Sequence, residues 1–226
     1  MEMQIHKKLK IQAIVFDMDG LLFDSEKIVQ RTWTMAGERL GYGPIGDHIY
    51  HTLGMNRKGR AQYFQKVYGM DFPMETFSEM TRAYFQDIAA TEGVPLKTGV
   101  MAMLEYAKAH DYKMAVATSS SRAYAAGLME KAGIYTYFDS AIFGDMVQNS
   151  KPDPEIYQRS CENLGIPPQN CIALEDAPNG LRSACNAGLH PIMIPDLVEP
   201  DDSIQKLVLA VCKDMYAVIR LLENFQ

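Results

Sequence analysis

Five brief apolar runs recur along this chain, and each gives way to a polar residue or glycine: Ile11–Phe16, Lys113–Ala117, Ser140–Phe143, Cys171–Leu174 and Pro191–Ile194. Runs this short and this apolar predict strands buried on both faces, as in a parallel sheet. Helical punctuation separates the later ones. Arg122–Ala132 precedes Gly133, Pro154–Leu164 opens on proline and stops at Gly165, and Ala177–Ala187 stops at Gly188. Proline suits a first turn, where its missing N–H would be unpaired anyway, and glycine accepts the left-handed backbone that ends a helix. Strands alternating with such helices predict βαβ units, hence an α/β fold with a doubly wound parallel sheet.

From Ser25 to about Thr91 the alternation stops. Helical segments follow one another, at Glu26–Leu40, Arg57–Tyr68 and Glu75–Ala89, with a turn near Gly41–Gly46. That is too much chain for a simple crossover. We expect an inserted α-helical cap domain at 24–91, with residues 1–23 and 92–226 forming the α/β core and hinges near Leu22–Ser25 and Ala90–Thr98. A chain of 226 residues with 47% apolar content can bury such a core unaided.

Charge narrows the partners. A net charge of −6 argues against a nucleic acid or an anionic membrane, and the basic run Lys7, Lys8 and Lys10 reads as solvated. Cys161, Cys171, Cys185 and Cys212 form no CxxC pair and have no histidine at zinc spacing, so they read as reduced. No apolar run reaches bilayer length, and Ile11–Phe16 is too short for a signal segment. The expectation is a cytoplasmic monomer.

Chemistry-bearing residues stand where these strands end. Asp17 and Asp19 follow the first; at i and i+2 they project to one side if strand geometry persists, and Gly20 lets the chain turn away. Paired carboxylates repel unless a cation holds both ionised, and Mg²⁺ favours oxygen ligands. Alone, the pair fits a strand-terminating turn at least as well. Glu175 and Asp176 end the fourth strand, where Asp176 also suits a helix N-cap. Thr118, Ser119, Ser120 and Ser121 follow the second strand at a helix start, a place for an anion or for an ordinary cap. Lys151 precedes the Pro154 helix. Ligands of open α/β sheets bind beyond the carboxyl ends of the strands, and these four groups converge there.

In that order the motifs resemble the haloacid dehalogenase superfamily, in the branch with a helical cap that holds β-phosphoglucomutase and related phosphatases. Asp17-Met-Asp19-Gly20 matches the first motif, Thr118 the second, Lys151 in Lys-Pro-Asp-Pro the third and Glu175-Asp176 the fourth. The resemblance implies that Asp17 is a nucleophile forming an aspartyl-phosphate and Asp19 a general acid–base. It places Thr118 and Ser119 on phosphoryl oxygens and gives Lys151 the task of neutralising their charge. Ser120 would contact substrate. It implies Mg²⁺ on Asp17, the Asp19 carbonyl, Glu175 and Asp176, and a small phosphorylated metabolite as substrate. An acid at Asp19 favours phosphoryl chemistry over dehalogenation. In Leu53-Gly54-Met55-Asn56-Arg57 the resemblance makes Arg57 a substrate-binding residue. Val29 stands where the related sugar phosphomutases carry histidine, which favours a phosphatase over a mutase.

Other signals fit less well. Gly41-Tyr42-Gly43-Pro44-Ile45-Gly46 has the spacing of a dinucleotide fingerprint but follows a helix rather than a strand, and reads as a helix end and loop. His48 and His51 can face one another but lack a third ligand. A receiver domain has similar acids around an aspartate, but is about half this length and lacks the helical insert.

Overall fold

A computed structural model describes residues 9–52 and 57–225, the side chains of residues 57 and 58 excepted. Its core is a parallel six-stranded sheet: β1 (Ala13–Phe16), β2 (Lys113–Ala117), β3 (Ser140–Ile142), β4 (Cys171–Glu175), β5 (His190–Met193) and β6 (Ala210–Val211), in the order β3-β2-β1-β4-β5-β6. The strands lie within one or two residues of their expected positions. β6 was not expected; at two residues it carries too little apolar pattern to read from sequence.

Between β1 and β2 lie α1 (Glu26–Arg39), the single turn α2 (Ile49–Thr52), α3 (Arg57–Tyr68), α4 (Met74–Thr91) and α5 (Val100–Ala109). Then come α6 (Arg122–Lys131), α7 (Glu155–Leu164), α8 (Pro178–Asn186), the short α9 (Asp202–Gln205) and α10 (Met215–Glu223). Because strand side chains alternate between faces, β1 supplies two cores. Ile14 and Phe16 join Met103 and Leu104 of α5, Leu128 of α6 and Val218 of α10. Ala13 and Val15 join Ile156, Tyr157 and Cys161 of α7 and Ala184 of α8.

The insert has a core of its own. Trp33, Ile45, Ile49, Phe64, Phe72 and Phe77 are buried together, and Phe64 stacks on Phe72 with ring centroids 4.9 Å apart. The chain enters and leaves the insert side by side. Asp24 N–H donates to the Pro95 carbonyl at 2.9 Å, Lys97 N–H donates to the Leu22 carbonyl at 2.9 Å, and Phe23 pairs with Leu96. Gly41 follows α1 with φ +84°, a left-handed residue ending a helix, which disposes of the dinucleotide reading. Among the described residues no helix is long and apolar enough to cross a membrane.

Candidate active site

Register decides which groups meet. Phe16 lies level with Val116 on one side and Leu174 on the other, so the chain beyond each strand emerges at one rim. Asp17 and Glu175 continue the face that carries Val15 and Ala173, the face packed under α7 and α8. Lys151, just before α7, reaches this rim from the same side. Its ammonium donates to Asp17 Oδ1 at 2.6 Å, to Glu175 Oε1 at 2.7 Å and to the Ala117 carbonyl at 2.9 Å. All three donors are thereby used. The Tyr157 hydroxyl donates to the same Glu175 oxygen at 2.6 Å, and its ring lies beneath the Lys151 ammonium at 5.1 Å.

Asp176 completes a cluster in which Asp17, Glu175 and Asp176 each offer an oxygen within 4.8 Å of the others. Three carboxylates face one ammonium here. Burial, then the Glu175 charge, pushes the Asp17 carboxyl up to about 8 against the pull of Lys151. Burial, then Asp17, holds Asp176 well above the usual carboxylate range. Lys151 is shifted the other way: despite burial, Asp17 and Glu175 hold its ammonium above the usual lysine range. Ionised carboxylates at neutral pH therefore need more positive charge than Lys151 supplies. A hard cation with oxygen ligands fits that donor set.

Two close approaches keep the cluster open. A Cβ at Gly180, in the first turn of α8, would overlap the Glu175 carboxyl; one at Gly20 would overlap Asp176. Gly20 also has φ +81°, which a side chain would strain.

The Asp19 carboxylate is close enough to Asp17 for its charge to oppose the ionisation of Asp17, although the strand itself does not persist that far. The strand ends at Phe16, and Leu22 and Phe23 N–H both donate to the Met18 carbonyl in a turn. The Asp19 carboxylate lies outside the three-acid cluster. It accepts from the Ser120 hydroxyl at 2.7 Å, and the Tyr124 hydroxyl lies 3.5 Å away. Burial raises its carboxyl in spite of Ser120. Asp176 is not the N-cap of α8; that position falls to Ala177. Thr118 is buried, and its Oγ1 accepts from Ser120 N–H at 3.0 Å. Ser119 is exposed on the loop before α6, its backbone pressed against Gly144. Asp17, Asp19, Thr118, Ser119, Ser120, Lys151, Glu175 and Asp176 thus share one rim. Arg57 opens α3, but its side chain lies outside the described residues, as does the stretch from Leu53 to Asn56.

Above the rim a cleft of about 1030 Å³ separates Asp19, Ser120 and Tyr124 from Glu26, Trp33 and Arg60 of the insert. Sequence reasoning missed Tyr157, Tyr124, Glu26 and Arg60. Tyr157 carried one signal, a tyrosine on the apolar face of a helix, whose hydroxyl needs a buried partner. His48 has no metal role: its ring sits between the hydroxyls of Tyr63 and Tyr68, 2.6 Å from each, and His51 is a ring neighbour at 6.2 Å.

The family model for haloacid dehalogenase-like hydrolases matches residues 14–194. A phosphorylated carbohydrates phosphatase of Thermotoga maritima is 29% identical over 80% of this chain and 84% of its own length. Protein CbbY of Cereibacter sphaeroides is 31% identical over 82% of this chain and 84% of its own length. The crystal structure of CbbY from Rhodobacter sphaeroides in complex with phosphate superposes with a TM-score of 0.74 at 28% identity, covering 91% of this chain and 95% of that one. The chain therefore belongs to the haloacid dehalogenase-like hydrolases and is one of their phosphomonoester hydrolases.

Proposed function

We propose that this chain is a Mg²⁺-dependent phosphatase that transfers the phosphoryl group of a small sugar or nucleoside phosphate to Asp17 and then to water. One observation carries the reading: Lys151 is locked between Asp17 and Glu175, with Asp176 completing a three-carboxylate cluster. A structural ion pair would need one acid for one base. The surplus acids make sense beside a cation and a phosphoryl group, since phosphoryl transfer depends on positioning and charge neutralisation.

Asp17 attacks phosphorus in line. The bond to the ester oxygen breaks as Asp19, its proton favoured by burial, delivers that proton to the leaving oxygen. Asp19 then takes a proton from water as the water attacks phosphorus, which frees Asp17 and releases inorganic phosphate. The Thr118 hydroxyl and Ser119 N–H hold phosphoryl oxygens, and Lys151 offsets their charge. Mg²⁺ held by Asp17, the Asp19 carbonyl, Asp176 and Glu175 would keep the acids ionised and neutralise the phosphoryl oxygens. The insert at 24–91 acts as a cap over this rim. Val29 lines the cleft and has no polar group with which to align a sugar hydroxyl against the phospho-enzyme, which favours hydrolysis over isomerisation. We place the enzyme in the cytoplasm as a monomer, with neither nucleic acid nor membrane as partner.

A panel of phosphorylated metabolites assayed with and without Mg²⁺, beside Asp17→Asn, tests the reading. Phosphate release should require both Mg²⁺ and Asp17. Turnover without metal, or an active Asp17→Asn protein, would overturn it, and a 6-phosphate formed from a sugar 1-phosphate would restore the mutase.

A further inference from the structure

Tyr157 lies in the first turn of α7, wholly buried in the core between α7, α8 and the sheet. Phenylalanine would fill such a place with no polar atom to satisfy. The hydroxyl has to be stripped of water there, and the bond that offsets this cost runs 2.6 Å to Glu175 Oε1. The same oxygen accepts from the Lys151 ammonium at 2.7 Å. A carboxylate oxygen has about two acceptor positions, so Oε1 is filled. Oε2 is not: the Ala177 N–H donor lies 3.5 Å from it, beyond the usual reach of such a bond. Behind the carboxyl stands Gly180, where a Cβ would overlap both oxygens. The two oxygens cannot exchange places without breaking the bonds to Lys151 and Tyr157. Tyr157 is also an uncharged donor. A second lysine in its place would fill Oε1 equally well, but would cancel part of the negative charge that Asp17, Glu175 and Asp176 hold together.

The number of free oxygens bears on which ion fits. Mg²⁺ demands a near-ideal octahedron of oxygens, keeps several waters and uses few carboxylates. Ca²⁺ takes about six to eight oxygens at longer distances and accepts both oxygens of one carboxylate. With Oε1 filled, Glu175 can serve the smaller ion but cannot give the larger one a second oxygen. We propose that Tyr157 is a positioning residue that, together with Lys151, leaves Glu175 a single free oxygen and so makes the metal site discriminate for Mg²⁺ against Ca²⁺. This role rests on the reading of Asp17, Glu175 and Asp176 as ligands of a cation, and not on which ester is cut.

Calorimetric titration of the full chain with Mg²⁺ alone and with Ca²⁺ alone tests this. The native protein should bind Mg²⁺ in preference. Tyr157→Phe keeps the ring and its packing but frees a position on Oε1. Its Mg²⁺-to-Ca²⁺ affinity ratio should fall about tenfold, the lower end of what loss of a ligand's support typically costs. Mg²⁺ binding should weaken while Ca²⁺ binding holds or strengthens. Ile156→Val, which trims the neighbouring side chain in the same core, controls for lost stability and should leave the ratio unchanged. A native preference for Ca²⁺ would overturn the assignment. So would a ratio that Tyr157→Phe leaves as it was, with both ions weakened alike or neither, or one that Ile156→Val changes as much. Native protein that binds neither ion would overturn the cation reading and this role together. If the ratio falls as expected while no phosphomonoester is turned over, the role of Tyr157 stands and the phosphatase reading falls.

Discussion

Lys151 in the core and Arg60 in the insert are both largely buried cations, and they are held in opposite ways. Lys151 spends every proton on a fixed partner: two carboxylates and a carbonyl. Arg60 rests on a ring and leaves a buried donor open. The difference extends to their surroundings. At the rim, Tyr157 braces Glu175 and Ser120 braces Asp19, so the groups proposed to react are set before any ligand arrives. Across the cleft, Glu26 has no such brace among the described residues. A phosphoryl group is the same in every phosphomonoester, and its site can be built in advance. The rest of the ester varies, so the groups that meet it stay open.

Separate cores allow this division, and Phe64 tests it with the largest expected effect. Its ring is fully buried among Trp33, Phe72 and Phe77, apart from the sheet. Phe64→Ala should cost about 3–5 kcal/mol. Native-state hydrogen exchange should show the loss in the amides of α1, α3 and α4, while those of β1, β2 and β4 keep their protection. Equal loss in the strands would mean that insert and sheet share one cooperative core, and the comparison would break.

Next comes the cation at the rim. Lys151→Met keeps the stem and removes the charge, so kcat should fall roughly 10²–10³-fold, as for other fixed groups that stabilise transition-state charge. A loss at Lys151 no larger than that at Arg60 would remove the distinction between reaction and recognition. Tyr157→Phe deletes one of the bonds to Glu175 but leaves Lys151 in place. Hydrogen bonds to charged groups contribute about 1.5–3 kcal/mol, so stability should fall by an amount in that range, read from denaturant unfolding. An unchanged midpoint would show that the brace is dispensable.

How much of this was legible follows from the same contrast. The rim was readable because its groups sit next to a strand end or, for Lys151, just before the helix that follows one, and parallel register carries such positions to one edge. Asp17, Thr118, Lys151, Glu175 and Asp176 needed only the order of strands. Asp19 needed more, since a turn at Met18 follows the end of β1 and strand periodicity does not contain it. The cleft was not readable. Glu26 looks like an ordinary first-turn acid, and Arg60 lies among basic and polar residues on a helix with little apolar patterning. Which face of α3 meets Trp33 depends on how the insert packs, a tertiary fact. β6 escaped for a different reason, since a two-residue strand leaves no period to find.

Gly180 gives the smallest effect and the one whose sign separates local from tertiary causes. It lies inside α8, where alanine is normally favoured over glycine by about 1 kcal/mol. Helix propensity alone therefore predicts that Gly180→Ala stabilises the protein and leaves the rim untouched. Packing predicts the reverse, because the new methyl would occupy the space of the Glu175 carboxyl. That carboxyl cannot swing aside freely, with Lys151 and Tyr157 both bonded to one of its oxygens. Either α8 shifts or the carboxylate leaves its place, and the proposed metal site loses a ligand position. Displaced ligands and their supports typically cost 10–100-fold in metal affinity, so Mg²⁺ titration of turnover should show about a tenfold weaker apparent affinity at the lower end of that range. A variant that is more stable and binds Mg²⁺ as before would show that the rim tolerates movement, and the contrast between a set rim and an open cleft would lose its physical basis.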